Sequence, residues 1–192
     1  YGYVKVYTIS DDGDEHIMII LRRNEIFPIF HLTHDDNQKN KQRMFFEALG
    51  KVKLLEISKD ALTYKIHSGL GICDTMLAHI GERFLAKSMH LENLSYKGAY
   101  QRLVYCFLFF AQRFGHFNGG TVLLDPVFTH KIIGNSINLT RGTVTREFEV
   151  LRKKKLLTNK NRQICILNID KLSQEISEPF NLGMWDKLRP QL

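Results

Sequence analysis

The stretch VFTHKIIGNSINLTRGTVTREFEVLRKKKLL, residues 127–157, decides the fold of the chain. Thr129 and Thr140 can each cap a helix, because a threonine side-chain oxygen accepts a hydrogen bond from a free N–H group of the first turn. The first cap predicts a short helix, and the second predicts a longer one that ends near Lys154. Gly134 and the bend that follows it separate the two helices. This spacing is typical of a helix-turn-helix.

The longer helix is amphipathic. Val144, Phe148 and Leu151 recur at i, i+4 and i+7, which indicates a face packed on a core. The opposite face carries polar and basic side chains and one glycine: Arg141, Gly142, Thr145, Arg146, Glu149 and Arg152. Arginines at the exposed N-terminal end of such a helix suit the major groove of DNA. An ordinary amphipathic helix pair with a solvated basic face is the alternative for the isolated segment.

The sequence on both sides of the two helices predicts a wing. Residues 158–162 are basic and rich in turn formers, and residues 163–167 have the composition of a strand. A partner strand is expected at residues 121–124, because Asp125 and Pro126 end it before the first helix. Strand, helix, turn, helix and hairpin together predict a winged helix-turn-helix domain, which we assign to residues 96–170.

This domain resembles the DNA-binding domain of the bacterial cyclic-AMP receptor and fumarate–nitrate regulator (Crp/Fnr) superfamily. The resemblance lies in three groups of residues: Thr129 with Ile133 and Gly134, then Thr140, Arg141, Thr143, Val144 and Arg146, then Leu151, Leu156 and Leu157. It extends over nearly all of the chain. It implies a sequence-specific transcription regulator that binds a palindromic operator in double-stranded DNA as a homodimer. It also places residues 115–120 in a loop that touches RNA polymerase in activators of the family.

The resemblance implies a role for each side chain on the exposed face. Arg141 and Arg146 are expected to read base edges, most naturally guanine O6 and N7. Gly142 lies between them, where many relatives have a glutamate that accepts from cytosine, a departure that leaves the half-site sequence open. Phosphate contacts are expected from Thr129, Thr140, Thr143, Lys160 and Arg162.

Residues 1–68 predict the β portion of an α+β chain. Short strands are expected at residues 3–9, 15–21, 44–49 and 52–57, with a further extended stretch at 26–30 and a polar loop at 33–43. Strands this short predict a small barrel or jelly roll. Their order resembles the cyclic-nucleotide-binding-like effector barrel of the same superfamily. In this comparison the chain begins about one third of the way through the barrel. Residues that precede Tyr1 in the native protein are therefore expected to be missing.

The expected effector pocket departs from the family pattern. Relatives bind cyclic nucleotide through a Gly-Glu pair and a following arginine, whereas Pro28 and Ile29 stand here in place of that pair. Proline has no N–H group to donate to a phosphate. Arg43 lies near the phosphate-binding position, with Gln42 equally close to it. No cofactor is predicted, cyclic AMP is not expected to bind, and the barrel holds another effector or none.

A long helix is expected from about Cys73 to Leu94, within a dimerisation and hinge segment at residues 69–95. Its apolar residues follow a 4-3 repeat that is broken only at Lys87: Cys73, Leu77, Ile80, Phe84, Leu91 and Leu94. Such a repeat predicts the seam of a short coiled coil, and the equivalent helix forms the dimer interface in the superfamily. The expected interface residues are Leu77, Ile80, Phe84 and Leu91. A helix packed on its own barrel is the alternative.

Charge is distributed unevenly along the chain. Residues 1–96 contain 12 Lys and Arg against 13 Asp and Glu, whereas residues 97–192 contain 15 against 7. The excess positive charge favours a polyanion partner for the second half. Residues 99–114 predict a buried helix of the DNA-binding domain, and residues 171–192 form a C-terminal extension whose role stays open.

Other function classes find no support in the sequence. There is no P-loop, nucleophile–base or metal motif, so an enzyme is not expected. Cys73, Cys106 and Cys165 are too far apart for a zinc or iron–sulfur site, and they predict small buried side chains in a reducing cytoplasm. His31 and His34 are either solvated loop side chains or ligands of a metal or haem, and no metal site is predicted.

Two further expectations concern location and the rival function. No apolar run reaches transmembrane length and no signal peptide opens the chain, so a cytoplasmic protein without a membrane partner is expected. The rival is a small-molecule-sensing regulatory module that uses its winged helix for protein contacts. Salt-dependent binding to duplex DNA distinguishes the two functions.

Overall fold

The computed structural model describes residues 1–28, 44–118 and 120–176. Contacts within the chain divide it into two compact units, Tyr1–Ser88 and Met89–Leu192. The expectations for the polar loop, for Ile29, His31, His34, Gln42 and Arg43, and for residues 177–192 lie outside the described residues.

The first unit contains a three-stranded antiparallel sheet. Its strands are β1 (Val4–Ile9), β2 (Glu15–Leu21) and β3 (Phe45–Ala48), in the order β2-β1-β3. The side chains of Val4, Val6 and Leu21 form a small core on which Ile19, Phe27, Met44 and Val52 pack. The three strands were all predicted, but the described residues form an open sheet and not a closed barrel.

The strand expected at residues 52–57 is wrong. Lys53 exchanges backbone hydrogen bonds with Tyr1, at 2.9 and 3.1 Å, but the residues after it form no ladder with another strand. Apolar composition suggested a strand here, yet Leu55 is 94% exposed. The extended stretch expected at residues 26–30 is likewise not a strand over residues 26–28, its described part.

Two helices follow the sheet. Helix α1 (Lys59–Ser68) begins at Ser58, whose Oγ accepts from the Ala61 N–H at 3.2 Å. Helix α2 (Leu70–Ser95) is the predicted long helix, extended by a few residues at its start. Lys87, the residue that breaks the apolar repeat, donates from Nζ to the Met18 carbonyl oxygen at 2.6 Å, and burial lowers its pKa.

The second unit is a winged helix-turn-helix. Its elements are α3 (Ala99–Phe114), β4 (Gly115–Asn118), β5 (Thr121–Leu124), α4 (His130–Ile137), α5 (Arg141–Lys153), β6 (Leu157–Lys160), β7 (Gln163–Ile166) and α6 (Ile169–Ser173). The four strands form one antiparallel sheet in the order β4-β5-β7-β6. Pairing of β5 with β7 confirms the predicted partner strand.

Two local predictions in this unit need correction. Residues 115–120 were expected to form a loop, but residues 115–118 are strand β4, because each of them pairs with a residue of β5. The turn expected over residues 158–162 is shorter, because β6 continues to Lys160 and leaves only Asn161 and Arg162 between the strands.

Helix α3 forms the centre of the second core. Nine of its side chains are buried, and Phe107 meets Phe148 of α5 edge to face at 6.0 Å between ring centroids. Phe110 stacks on Phe128, the residue before the first cap, at 4.3 Å. Burial of several aromatic side chains on one helix stabilises the position of both helices of the motif.

Lys154, at the end of α5, forms hydrogen bonds with residues near the beginning and the end of the second unit. Lys154 Nζ donates to Glu175 Oε2 at 2.6 Å and to the Tyr100 hydroxyl at 3.0 Å. Tyr100 itself donates to Glu175 at 2.7 Å. These contacts attach the beginning of the predicted C-terminal extension to α3 and α5.

Candidate nucleic-acid interface

Both predicted helix caps are present. Thr129 Oγ1 accepts from the Ile132 N–H at 3.2 Å, and Thr140 Oγ1 accepts from the Thr143 N–H at 3.1 Å. Each bond satisfies one free N–H group at a helix start. The two caps fix where α4 and α5 begin and therefore which side chains face outward.

The turn between α4 and α5 requires glycine at position 134. Asn138 ends α4 with φ of 53°, and the Leu139 N–H returns to the Gly134 carbonyl oxygen at 3.0 Å. A Cβ at Gly134 would clash with the carbonyl oxygen of Leu139. The chain therefore passes close against this glycine, and the angle between the two helices depends on it.

Helix α5 has one buried and one exposed face, as predicted. Val144, Phe148 and Leu151 are almost completely buried, which confirms the core-facing stripe. The exposed side begins at Arg141 and includes Gly142, Thr145 and Arg146. The prediction that the basic residues of α5 lie on its outer face is therefore confirmed.

The two arginines predicted to read bases have different surroundings. Arg146 is 69% exposed, and its Nε donates to Glu147 Oε1 at 3.0 Å. An ion pair with one partner this exposed contributes only about 0–1 kcal/mol, so the contact holds the Arg146 guanidinium weakly. Among the described residues, no ion-pair partner is found for Arg141. Gly142 has open space around it, because a Cβ there would come no nearer than 3.9 Å to Thr140 Oγ1.

The threonines predicted to hold phosphates differ in the protons that they can donate. Thr129 accepts at its cap and keeps its hydroxyl proton for a ligand. The hydroxyls of Thr140 and Thr143 lie 2.9 Å apart and bond to each other, so the pair has one proton left to donate. Arg141 lies at the start of the same helix, where the N-terminal dipole also favours an anion.

The wing places the remaining predicted phosphate residues at the tip of a hairpin. Strands β6 and β7 are joined by Asn161 and Arg162, with φ of 52° and 67°. Positive φ at both positions is the geometry of a type I′ turn. Lys160 and Arg162 are exposed beside this turn.

Sequence reasoning missed a contact between the two helices of the motif. His130, the first residue of α4, has its Nδ1 at 2.8 Å from Thr145 Oγ1 on the outer face of α5. The imidazole also lies 5.0 Å from the Phe148 ring, and burial together with nearby Arg141 lowers its pKa. The two residues are fifteen positions apart, so no helical periodicity could have revealed the contact.

The predicted dimer residues form an exposed apolar stripe on α2. Leu77, Phe84 and Leu91 are 67%, 74% and 66% exposed, and Ile80 is 45% exposed. Their spacing of seven residues keeps the first three on one side of the helix. None of these four side chains is buried within the single chain, and their role in a dimer stays a prediction.

Three observations concern other kinds of site. The part of the chain that the structure describes contains no group of three or more His, Cys, Asp or Glu side chains that could hold a metal ion. Across the same residues, no helix combines the length and apolar character that crossing a lipid bilayer requires. Cys106 and Cys165 are buried as expected, whereas Cys73 is only partly buried.

A family model matches much of the second unit. Residues 101–175 match the Crp-like helix-turn-helix domain. Three curated relatives are all global nitrogen regulators. That of Synechococcus elongatus is 27% identical over 176 residues, which cover 92% of this chain and 78% of the relative. That of Synechocystis sp. is 28% identical over 178 residues, with 92% and 77% covered.

Solved structures share the fold along almost the whole chain. Two transcriptional regulators of Thermus thermophilus, described as members of the CRP and CRP/FNR families, superpose with TM-scores of 0.73 and 0.70. Sequence identity is 14% and 17%, and the superpositions cover 94% and 93% of this chain and 86% and 85% of the two regulators. At this identity the likeness concerns the fold.

Proposed function

We propose that the chain is a transcription regulator of the Crp/Fnr superfamily and that it binds a palindromic DNA operator as a homodimer. The observation that carries the proposal is the exposed face of α5, where Arg141 and Arg146 flank a stretch without acidic side chains. Net charge supports it, because 15 Lys and Arg stand against 7 Asp and Glu in residues 97–192.

Helix α5 enters the major groove by its N-terminal end. Arg141 and Arg146 donate to guanine O6 and N7, for which a guanidinium offers two parallel N–H groups. Gly142 lies between them without a side chain, so the backbone approaches the bases closely at this point. The chain therefore reads a half-site that differs from one recognised through a glutamate at the same position.

The helix caps and the wing hold the DNA backbone. Thr129 donates its free hydroxyl proton to one phosphate, and the Thr140 and Thr143 pair donates its remaining proton to another. Lys160 and Arg162 approach the adjacent phosphates from the wing. These contacts fix the register of α5 on the duplex without selecting a sequence.

The homodimer forms through the stripe on α2. The side chains that pack together on a twofold axis are Leu77, Ile80, Phe84 and Leu91 of two copies. A dimer of this kind presents two α5 helices, one to each half-site. A single recognition helix covers only a few base pairs, so the twofold arrangement supplies the specificity. The dimer is gated by an effector other than cyclic AMP, or it needs no effector. Cyclic AMP is not expected to bind, because Pro28 has no N–H group to donate to a cyclic phosphate.

The proposal is tested by comparing two single variants on specific and random duplexes. In vitro selection of bound duplexes first yields the operator. Arg146→Ala is expected to cost about 1–3 kcal/mol on that operator and to relax one base position in each half-site. Lys160→Ala is expected to weaken specific and random duplexes alike and to reduce the salt dependence by about one counterion. Selection without any enriched sequence, or equal losses on both duplexes for Arg146→Ala, contradicts the proposal.

A further inference from the structure

Thr145 is exposed on the outer face of α5, between the two arginines of the recognition helix, yet its hydroxyl group is already occupied. Its Oγ1 donates to the Arg141 carbonyl oxygen at 2.9 Å. Since a hydroxyl has a single proton, this bond leaves Thr145 without a proton to donate to a base.

His130 contacts the hydroxyl oxygen of Thr145 from the other side. Its Nδ1 lies 2.8 Å from Thr145 Oγ1, and the Thr145 proton is already directed at a carbonyl oxygen. Both contacts can be hydrogen bonds only when Nδ1 carries the proton and donates it to Oγ1. The hydroxyl is held between the α5 backbone and the first residue of α4, and a rotation about the Cα–Cβ bond would break both bonds.

These bonds leave the hydroxyl oxygen one lone pair and no proton to donate, whereas the γ-methyl group of Thr145 has no bonded partner. In the major groove, a threonine methyl makes an apolar contact with the C5-methyl group of thymine, a group that the other three bases lack. We propose that Thr145 is a specificity-determining residue that selects one thymine in each half-site through its γ-methyl group, and that His130 is the positioning residue that holds it in this orientation. The inference rests on the proposed function and adds a base contact that polar readout by Arg141 and Arg146 does not supply.

A thymine-to-deoxyuridine exchange isolates the proposed contact, because it removes only the C5-methyl group of the base. On the selected operator, one thymine in each half-site is expected to be sensitive. Its replacement by deoxyuridine should weaken binding of the parent protein roughly four-fold, as expected for one buried methyl group. Fluorescence anisotropy with duplexes substituted one position at a time measures the effect.

Two matched variants assign the effect to one branch of the side chain. Thr145→Val loses the hydroxyl, but valine in a helix strongly prefers one χ1 rotamer, which keeps a methyl group in place without the bond to His130, so the deoxyuridine effect should be retained. Thr145→Ser keeps the hydroxyl and loses the methyl group, so the effect should disappear. Both replacements are small, and residue 145 is exposed, so the core of the domain is not changed.

Variants at position 130 test the positioning role. His130→Leu removes the donor and should abolish most of the deoxyuridine effect. His130→Asn keeps an N–H donor near the position of Nδ1 and should restore it. A purely structural role of His130 would change affinity for all duplexes and leave the difference between thymine and deoxyuridine unchanged.

The outcomes separate this inference from the proposed function. An enriched operator without a methyl-sensitive thymine overturns the inference alone. Sensitivity that persists in Thr145→Ser, or that is lost in Thr145→Val, also overturns it, because the hydroxyl would then be the reading group. Selection that enriches no sequence overturns the DNA-binding function and this inference together.

Discussion

Replacement of Phe84 by glutamate is expected to make the protein monomeric. A phenylalanine side chain has roughly 200 Å² of surface to bury, and 74% of Phe84 is exposed on α2, so about 150 Å² remains accessible. At roughly 25 cal/mol per Å², burial in a twofold seam stabilises the dimer by about 4 kcal/mol per subunit. Two copies contribute at most about 7–8 kcal/mol, and the other residues of the seam must offset the entropy cost of association.

Glutamate removes this contribution and places two carboxylates near the twofold axis, where like charges repel. The variant is also expected to lose operator binding and to keep weak binding to random duplexes, because the basic face of α5 is unchanged. Sedimentation at micromolar concentration measures the assembly state, and a duplex titration measures the binding.

Leu85 offers a matched control on the same helix. It is 39% exposed, but it lies about 100° around the helix from Phe84 and outside the stripe. Leu85→Glu should therefore stay dimeric. The assignment of the seam is refuted if the parent protein sediments as a monomer, or if Phe84→Glu remains a dimer.

Three further expectations concern the effector, the turn and pH. Because Pro28 cannot donate an N–H group, calorimetric titration should show no cyclic AMP binding at sub-millimolar concentration, and micromolar affinity would contradict this. Gly134→Ala should destabilise the protein by about 1–3 kcal/mol in urea unfolding, since its Cβ would clash with the Leu139 carbonyl oxygen, whereas Gly142→Ala has open space and should not. Burial and Arg141 lower the pKa of His130, so the folded state binds a proton less readily than the unfolded state. Stability should therefore fall as pH drops below the ordinary histidine value of 6.5, and His130→Asn should show a smaller fall; equal falls would exclude His130 as a cause.

The second unit could be predicted from sequence because its signals are local. Thr129 and Thr140 each accept from an N–H group three residues ahead, a spacing that is visible in the chain itself. The stripe formed by Val144, Phe148 and Leu151 has the helical period, so it indicated the buried face directly. The capping residues therefore predicted where α4 and α5 begin, and the stripe predicted which face of α5 is buried.

The remaining errors arise where partners lie far away in sequence. Strand β4 begins with glycine and contains no β-branched residue, so its composition favoured a loop, and pairing with β5 overrides that preference. Residues 52–57 show the opposite case, because apolar composition suggested a strand that finds no ladder. The contact between His130 and Thr145 joins two helices and follows no periodic pattern.

Arg162, at the tip of the wing, is a proposed phosphate contact and has an unfavourable backbone conformation. A two-residue type I′ turn needs positive φ at both positions, and glycine is the usual second residue. Arg162 has φ of 67°, a conformation that costs an ordinary residue about 1–2 kcal/mol relative to the right-handed region. The hairpin itself gains nothing from a guanidinium there, since the side chain is exposed. The type I′ turn accounts for this conformation, and the phosphate contact of Arg162 stays a prediction.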